Sequence, residues 1–418
     1  MRDAPPSPPA TKAPDAHEQA SFRLLAQQRL AHGKRLKLGR LTFFRDALRF
    51  RGSVLLRILP TLFAITLWAF AIAVGNLHFG KHWHTSNAVI GPLSVVFGLL
   101  IVFRNGTSYD RWFEGAKDWQ NTLSDVRSLA RFMWYNIDLA VLSPPDSLSE
   151  EEREQWREER QERKKEAVRL LSLFLYATKH HLRQERSLSH GDYLGLLSPS
   201  LRKAYEHTLA LGLLPPLSPP PSAAGAFGIA VQAQVDESAP LLASPSAAEE
   251  TAQDEAARAE AEKVLEAAQA ISLPVFVLSR LARYLAAARA AGCLKDAGQP
   301  SFAMVNQLLA SLTTNLGNEE RVATMTIPVV YGVHLKQATL LYLLSLPFVL
   351  VNELSWRMVP FVSLVSFTLI GLEGIASEIE QPFGYDPSDH NLDYHCAAVR
   401  HELECMMRAM PPSLEGVL

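Results

Sequence analysis

The sequence is poor in cysteine and carries almost no net charge. Its 418 residues contain three cysteines without paired spacing, so we expect free thiols and no disulfide framework. The formal net charge of −2 excludes a strongly basic protein that binds nucleic acid through bulk charge. Internal repeats, glycine-rich phosphate loops and Ser/His/Asp or Cys/His arrangements at credible spacing are also lacking, so we expect no enzymatic activity.

Apolar residues make up 48% of the chain and are concentrated in four long runs. The runs cover residues 58–80, 82–103, 326–351 and 358–380, and each is long enough for the roughly 20 helical residues that cross a bilayer. Lys336 is the only Lys or Arg inside the third run, and a charge at membrane depth faces either a water-filled cavity in the protein or an interface. We predict an all-α membrane protein with four transmembrane helices per subunit and a large cytosolic helical region.

Positive charges flank the first two runs. Eight Lys and Arg residues lie between positions 34 and 57, and Arg104, Arg111 and Lys117 follow the second run. Because Lys and Arg near helix ends stay on the cytoplasmic side, both ends of this helix pair are expected there. We predict an integral multi-pass membrane protein with most of its chain on the cytoplasmic side, and we favour the plasma membrane.

Five segments follow from this topology. They are a disordered basic tail over residues 1–40, transmembrane helices one and two with a juxtamembrane helix over 41–137, a cytosolic helical region over 138–320, transmembrane helices three and four over 321–385, and a cytosolic C-terminal segment over 386–418. Within the cytosolic region, a charged helix is predicted to begin near Glu150. The Pro-, Ala- and Ser-rich stretch over about 213–261 cannot bury enough apolar surface to offset chain entropy, which predicts a disordered insertion.

The second run contains an apolar stripe. Val95, Leu99 and Phe103 recur every four residues and therefore lie on one side of a helix. One interpretation is an ordinary surface for lipid or for packing. The other is that several copies of this stripe face a common axis and form a hydrophobic constriction, which is a gating device in channels.

Three blocks of sequence resemble the signature of the bestrophin family, especially its bacterial, plant and fungal branch. The first is RNGTSYDRWFEGAKDW over 104–119, the second is ERVATMTIPVVY over 320–331, and the third is EQPFGYD over 380–386. The matching residues are Arg104, Asn105, Tyr109, Asp110, Arg111, Trp112, Glu114, Lys117, Trp119, Glu320, Arg321, Pro328, Tyr331, Pro382, Phe383 and Gly384. The departures are Phe113, Met325 and Gln381, where the family usually has Trp, Pro and Asn.

The resemblance implies a homopentameric ion channel in which helix two of each subunit lines a central pore. The three-residue hydrophobic neck of the family then falls on Val95, Leu99 and Phe103. The family often has a second aperture on the cytosolic side, which is expected within residues 302–309. Ala303, Met304 and Leu308 remain the alternatives for the side chain that forms it.

The resemblance also raises the question of calcium, because animal members hold this ion in a clasp of acidic residues after the Pro-Phe-Gly turn. Here Asp386 and Asp389 fall on matching positions, but Pro387 and Ser388 interrupt the acidic run. Calcium takes six to eight oxygen ligands, and two carboxylates supply few of them. We therefore favour a solvated turn at these residues and expect no cofactor, with calcium as the alternative.

We predict a passive channel for chloride or other small anions, assembled as a homopentamer in a lipid bilayer. One alternative is a cation-selective channel of the same fold, since net chain charge predicts neither sign of selectivity. Another is a membrane-anchored scaffold with a vestigial pore, in which the Pro- and Ala-rich insertion recruits partners.

Overall fold

A computed structural model describes residues 53–80, 83, 90–142, 149–185, 187–212, 271–294 and 298–409. Within these ranges the chain forms α-helices and short 3₁₀ turns, and no β-strand is present. The predicted tail over 1–40 and the predicted insertion over 213–261 lie outside the described residues. The helices are α1 (Leu55–Leu77), α2 (Ile90–Asn136), α3 (Glu150–Leu182), α4 (Pro199–Gly212), α5 (Leu273–Ala290), α6 (Gly298–Thr324), α7 (Val329–Leu354), α8 (Met358–Ile379) and α9 (Leu392–Ala409).

The apolar runs of the sequence form one helical bundle. Helices α1, α7, α8 and the first half of α2 pack around a core that contains Ile65, Phe97, Leu343 and Val362. Two described stretches, Leu55–Leu77 and Phe302–Ile379, are long and apolar enough to cross a membrane, and the second of them includes α7 and α8.

Helix α1 packs very closely against α8. At Gly374 of α8, an added Cβ atom would lie 2.4 Å from Cγ1 of Val54, whereas at Gly371 the nearest atom would be Cδ1 of Ile58 at 3.8 Å. A separation below about 3 Å is a steric clash, so only glycine fits at position 374. The absence of a side chain therefore sets how closely these two helices approach.

Helix α2 is continuous over 47 residues and belongs to two bundles. Its first half lies in the apolar bundle, and its second half packs against α3, α6 and α9 in a separate large core. Trp134, Leu171, Phe174 and Leu281 are fully buried in that core. A single helix thus connects the apolar bundle with the helices around this second core, which we call the lower bundle.

The lower bundle is built from helices whose ends are well defined. Helix α3 begins with a capping box, in which the backbone N–H of Glu152 donates to Oγ of Ser149 and the backbone N–H of Ser149 donates to Oε2 of Glu152. The front of α3 is charged and largely exposed, whereas residues 171–180 are buried without interruption. Helix α6 packs along the second half of α2, and the segment between α8 and α9 folds back onto α2.

Candidate functional site: the exposed face of α2 and its collar

The apolar stripe of α2 points away from the subunit. Val95, Leu99 and Phe103 are 73%, 56% and 58% exposed, while Phe97 and Ile101 on the opposite side of the helix are buried in the core. Val96 and Val102 are also exposed beside the stripe. An apolar surface of this kind requires a lipid or protein partner outside the subunit.

Arg104 directly follows the stripe and turns into the protein. Its side chain is buried, and its Nη2 donates to Oε2 of Glu380 at 2.7 Å, just after α8. Its Nε lies 3.8 Å from Oε2 of Glu373, whose other carboxylate oxygen lies 3.9 Å from Nζ of Lys336. The guanidinium is therefore neutralised within the bundle, and Lys336 shares one of its acidic partners.

Two helical turns further along α2, Arg111 binds the end of α6. Its Nη2 donates to the carbonyl oxygen of Val322 at 2.7 Å, its Nη1 donates to that of Met325, and its Nε donates to that of Glu380 at 3.3 Å. The last carbonyls of a helix lack partners within the helix, so a guanidinium is well suited to satisfy them. Arg111 thereby joins α2 to the α6–α7 connection and to the end of α8.

The third sequence block and the residues that follow it complete this arrangement. Trp112 donates through Nε1 to the carbonyl oxygen of Ser388 at 3.1 Å, and Nε2 of His390 donates to the carbonyl oxygen of Trp112 at 2.9 Å. Burial lowers the pKa of His390, which keeps the ring neutral and gives it one N–H donor. An added Cβ atom on Gly115 would lie 3.0 Å from Cζ of Phe383, so the chain passes very close to α2 here. We call Arg104, Arg111, Trp112 and their partners from 322–327 and 380–390 the collar.

Comparison with known proteins shows to which family the chain belongs. The family model described as Bacterial/Fungal Bestrophin protein matches residues 36–213 and 222–405, which include the stripe and the whole collar. The chain belongs to the bestrophin family. The resemblance of the three sequence blocks to this family is thereby confirmed.

Two relatives match most of this bestrophin. The voltage-dependent anion channel-forming protein of Nostoc sp. is 29% identical over 371 residues, which cover 88% of this chain and 93% of the relative. That of Synechocystis sp. is 27% identical over 370 residues, which cover 87% of this chain and 91% of the relative.

A solved structure shows the same fold. A variant of the bacterial bestrophin homolog from Klebsiella pneumoniae superposes with a TM-score of 0.55 at 20% sequence identity, covering 84% of this chain and 99% of that one. Another variant of the homolog superposes with a TM-score of 0.57. The predicted all-α class agrees with this fold in the part of the chain that is described.

The remaining signature residues of this bestrophin have several different roles. Asn105 donates to the carbonyl of Ile101 within α2, and Trp119 is buried in the lower core. Two residues contact side chains of other helices: Glu114 forms an ion pair with Arg321 at 3.2 Å, and Oε1 of Glu320 lies 2.7 Å from Nε2 of His181. The others lie on the surface or at turns: Tyr109, Asp110, Lys117 and Tyr331 are exposed, Pro328 precedes α7, and Pro382 packs near Gly115.

The structure separates the three candidates for the cytosolic aperture. Ala303 and Met304 are exposed on α6, and Met304 retains half of its accessible surface. Leu308 is partly buried against the lower core. An aperture requires an apolar side chain that projects from the subunit, and Met304 has the larger side chain of the two exposed residues.

Asp386 and Asp389 take part in a turn that their own contacts stabilise. Oδ2 of Asp389 accepts a hydrogen bond from the backbone N–H of Asp386 at 2.8 Å, and Oδ1 of Asp386 lies 3.9 Å from Arg57. Desolvation raises the pKa of Asp389 to about 6, which disfavours its charged form. An added Cβ atom on Gly384 would lie 2.8 Å from Asp389, so glycine is needed for this contact.

Sequence reasoning missed a charged network at the end of α3. Nζ of the buried Lys179 donates to Oδ1 of Asp393 at 2.8 Å and also to Oδ2 of Asp192, while Arg183 donates to Oδ2 of Asp393 at 3.0 Å. Burial raises the pKa of Asp393, but hydrogen bonds from Lys179 and Arg183 outweigh this effect and lower it. The only available signal was a Lys among apolar residues late in a helical pattern.

Proposed function

We propose that this protein is a passive anion channel for chloride and similar small anions, in which α2 of each subunit of a homopentamer lines a central pore. The observation that carries the proposal is the exposed stripe of Val95, Leu99 and Phe103 directly before the buried Arg104. The names of the Nostoc and Synechocystis relatives as anion channel-forming proteins support the same function. The family and these relatives also support transport rather than catalysis.

Four helices cross the membrane in this proposal: α1, the first half of α2, α7 and α8. At 1.5 Å per residue, the 23 residues of α1 extend over about 35 Å, which exceeds the roughly 30 Å of a hydrocarbon core. The exposed surface of α1 is apolar and includes Leu56, Phe63 and Leu67, as lipid contact requires. The lower bundle then lies on the cytoplasmic side, because the basic residues around position 104 and before α1 favour it.

The neck acts as a desolvation barrier. Five copies of three apolar side chains offer no charge to a passing ion, so an ion must lose part of its hydration shell to pass. Large and weakly hydrated anions lose water at a lower free-energy cost than small, strongly hydrated ones. The neck therefore favours the former, and its side-chain volume sets the height of the barrier.

A second constriction is assigned to Met304. This residue projects from α6, and α6 packs along the second half of α2, so both helices follow the same path from the neck into the cytosolic part.

In this proposal Asp386 and Asp389 do not hold a bound calcium ion. One carboxylate oxygen of Asp389 accepts a hydrogen bond within the turn, and the pKa of Asp389 is raised. Currents that need calcium and lose this need in Asp389→Asn would contradict this assignment.

The deciding experiment is the reversal potential of the purified protein in a planar bilayer under a KCl gradient. We expect reversal toward the chloride equilibrium potential and a particle mass of five subunits. Reversal toward the potassium potential would overturn the anion assignment while leaving the pore. Absence of current from folded pentamers would overturn the channel and favour the scaffold.

A further inference from the structure

Three side chains that bind transition metals lie together at the end of α3, outside the collar. They are His180 on the last turns of α3, Glu185 in the loop that follows, and His190 just before the short 3₁₀ turn Gly191–Tyr193. One ligand atom from each lies within 4.8 Å of the other two. His180 is buried, whereas Glu185 and His190 are partly exposed.

The backbone after α3 is shaped to form this cluster. Gln184 adopts a left-handed conformation with φ of 60°, and the helix ends in a Schellman motif, in which the N–H of Glu185 donates to the carbonyl of His180 at 2.8 Å and the N–H of Gln184 donates to that of His181 at 3.0 Å. This reversal returns the chain to α3. It places Oε2 of Glu185 2.5 Å from Nδ1 of His180.

A second set of residues orients two of the three ligands. Nε2 of His180 lies 3.2 Å from Oδ2 of Asp192, and the hydroxyl of Tyr385 donates to Oε1 of Glu185. In metal sites, a ligating histidine characteristically donates its other N–H to a carboxylate, and ligating carboxylates are themselves hydrogen-bonded. Both arrangements are present here, and Nδ1 of His180 and Oε2 of Glu185 face each other at 2.5 Å.

The third ligand has an unused nitrogen. Nε2 of His190 is buried and has no hydrogen-bond partner among the described residues. The His190 ring stacks on that of His180, with ring centroids 4.0 Å apart and planes inclined by 10°. A buried imidazole nitrogen without a partner is costly, and binding a cation would satisfy it.

We propose that His180, Glu185 and His190 bind a divalent transition metal of the Zn²⁺ class. Two imidazoles and one carboxylate suit zinc and its neighbours rather than calcium or magnesium, which prefer oxygen ligands. Three protein ligands leave a fourth tetrahedral position for water. Zn–N distances of about 2.0–2.1 Å place ligand atoms about 3.3 Å apart, so the stacked His190 ring tilts when the metal binds.

The partly exposed Glu185 connects the site to solvent and to the collar segment. Glu185 borders a cavity of about 770 Å³, also lined by His181 and Tyr193, which provides a path of entry. Tyr385, which holds Glu185, lies directly after the Pro-Phe-Gly turn. A bound metal therefore fastens the loop after α3 and stabilises the contact between this loop and the segment between α8 and α9.

The test is a metal titration of the full-length, tag-free protein in detergent after chelation and desalting. Co²⁺ reports four-coordinate binding through strong visible absorption, and Zn²⁺ displaces it. We expect one Zn²⁺ per chain and a higher melting temperature with the metal than without it. Binding of Zn²⁺ should weaken as the pH falls, because protons compete for imidazole.

Three variants and one matched control decide the assignment. His190→Ala and Glu185→Gln should lose the Co²⁺ spectrum, and Tyr385→Phe should weaken binding by about 10-fold or more, because outer partners contribute about 10–100-fold. The control is the double variant His401→Ala and Cys405→Ala. In the unaltered protein, Nε2 of His401 and Sγ of Cys405 lie 3.4 Å apart on α9 and are potential metal ligands outside the proposed site. The double variant should bind as the unaltered protein does.

The opposite results overturn the proposal. They are full-strength binding by both His190→Ala and Glu185→Gln, or loss of binding in the α9 double variant alone. A helical circular dichroism spectrum equal to that of the unaltered protein shows that each variant is folded. Absence of any Zn²⁺ binding by the folded, unaltered protein also refutes the site.

Discussion

Arg104 and Glu380 are 276 positions apart in the chain and are joined by a hydrogen bond of 2.7 Å between Nη2 and Oε2. The carboxylate of Glu380 also binds the backbone just before α7, since its Oε1 accepts a hydrogen bond from the N–H of Ile327 at 3.2 Å. One acidic side chain therefore connects the end of the exposed stripe of α2, the start of α7 and the end of α8.

Removing either partner of this pair should be strongly destabilising. Arg104→Gln or Glu380→Gln leaves the opposite charge buried, which costs about 3–5 kcal/mol of unfolding free energy. The control is Arg57→Gln, since Arg57 is largely exposed and its ion pairs are 3.9 Å long. Thermal unfolding in one detergent measures all three. Equal melting temperatures for Arg104→Gln and Arg57→Gln would show that the buried pair is not important.

Shortening the neck side chains should increase current. Replacing Val95, Leu99 and Phe103 together with alanine widens the proposed constriction and lowers its desolvation barrier, so single-channel conductance should rise. The matched control is Phe63→Ala, because Phe63 is an exposed apolar residue of α1 rather than of α2. Conductance unchanged in a verified pentamer of the triple variant would remove these residues from the pore.

Two glycines one turn apart on α8 should respond oppositely to the same substitution. Gly374→Ala forces a Cβ atom to within 2.4 Å of Val54 and should destabilise the bundle by about 1–3 kcal/mol. Gly371→Ala places its Cβ atom at an ordinary contact distance and should be neutral or slightly stabilising, because alanine favours helix. Melting temperatures of the two variants test the close approach of α1 and α8.

Stability should depend on the ionisation of Asp389. Its pKa is raised by desolvation to about 6, above the value of about 3.9 in an unfolded chain. A raised carboxyl pKa means that the folded state binds the proton more tightly, so this contribution is complete below about pH 4 and is lost as the pH rises through about 6.

The variant Asp389→Asn keeps the acceptor for the Asp386 N–H but does not titrate. Its melting temperature should therefore vary less between about pH 4 and pH 6 than that of the unaltered protein. Asp110→Asn is the control, since Asp110 is an exposed carboxylate of α2. Parallel pH curves for the unaltered protein and Asp389→Asn would contradict the role of this residue.

The helices are largely predictable because their signals are local. The apolar runs correspond to α1, the first half of α2, α7 and α8, and the charged helix predicted near Glu150 begins there because Ser149 and Glu152 form its cap. Helix α9 follows the turn at Asp386 and Asp389, as expected of a turn that starts a C-terminal helix, and its buried positions Leu392, Cys396, Val399 and Leu403 follow helical spacing. Apolar spacing and capping residues act over one or two turns of a helix, so both can be recognised in the amino-acid sequence.

The collar is not predictable in the same way. The resemblance named Arg111 as a signature residue and placed Glu380 at the start of the third block, but no local pattern indicates that Arg111 binds the carbonyls of Val322 and Met325. These contacts depend on how α2, α6 and α8 pack, which is a property of the whole bundle. The metal-ligand cluster is a similar case, because His180 and His190 meet only through the left-handed residue Gln184.

Because α2 is continuous, a tilt of this helix about the collar moves both of its ends. Val95 and Arg111 are separated by 16 residues, or about 24 Å of rigid helix. A tilt of about 5° about the collar therefore moves the neck by about 2 Å, which is comparable to the size of a methyl group. In the proposed channel, a small rearrangement among the helices of the lower bundle would therefore change the width of the constriction at Val95 directly.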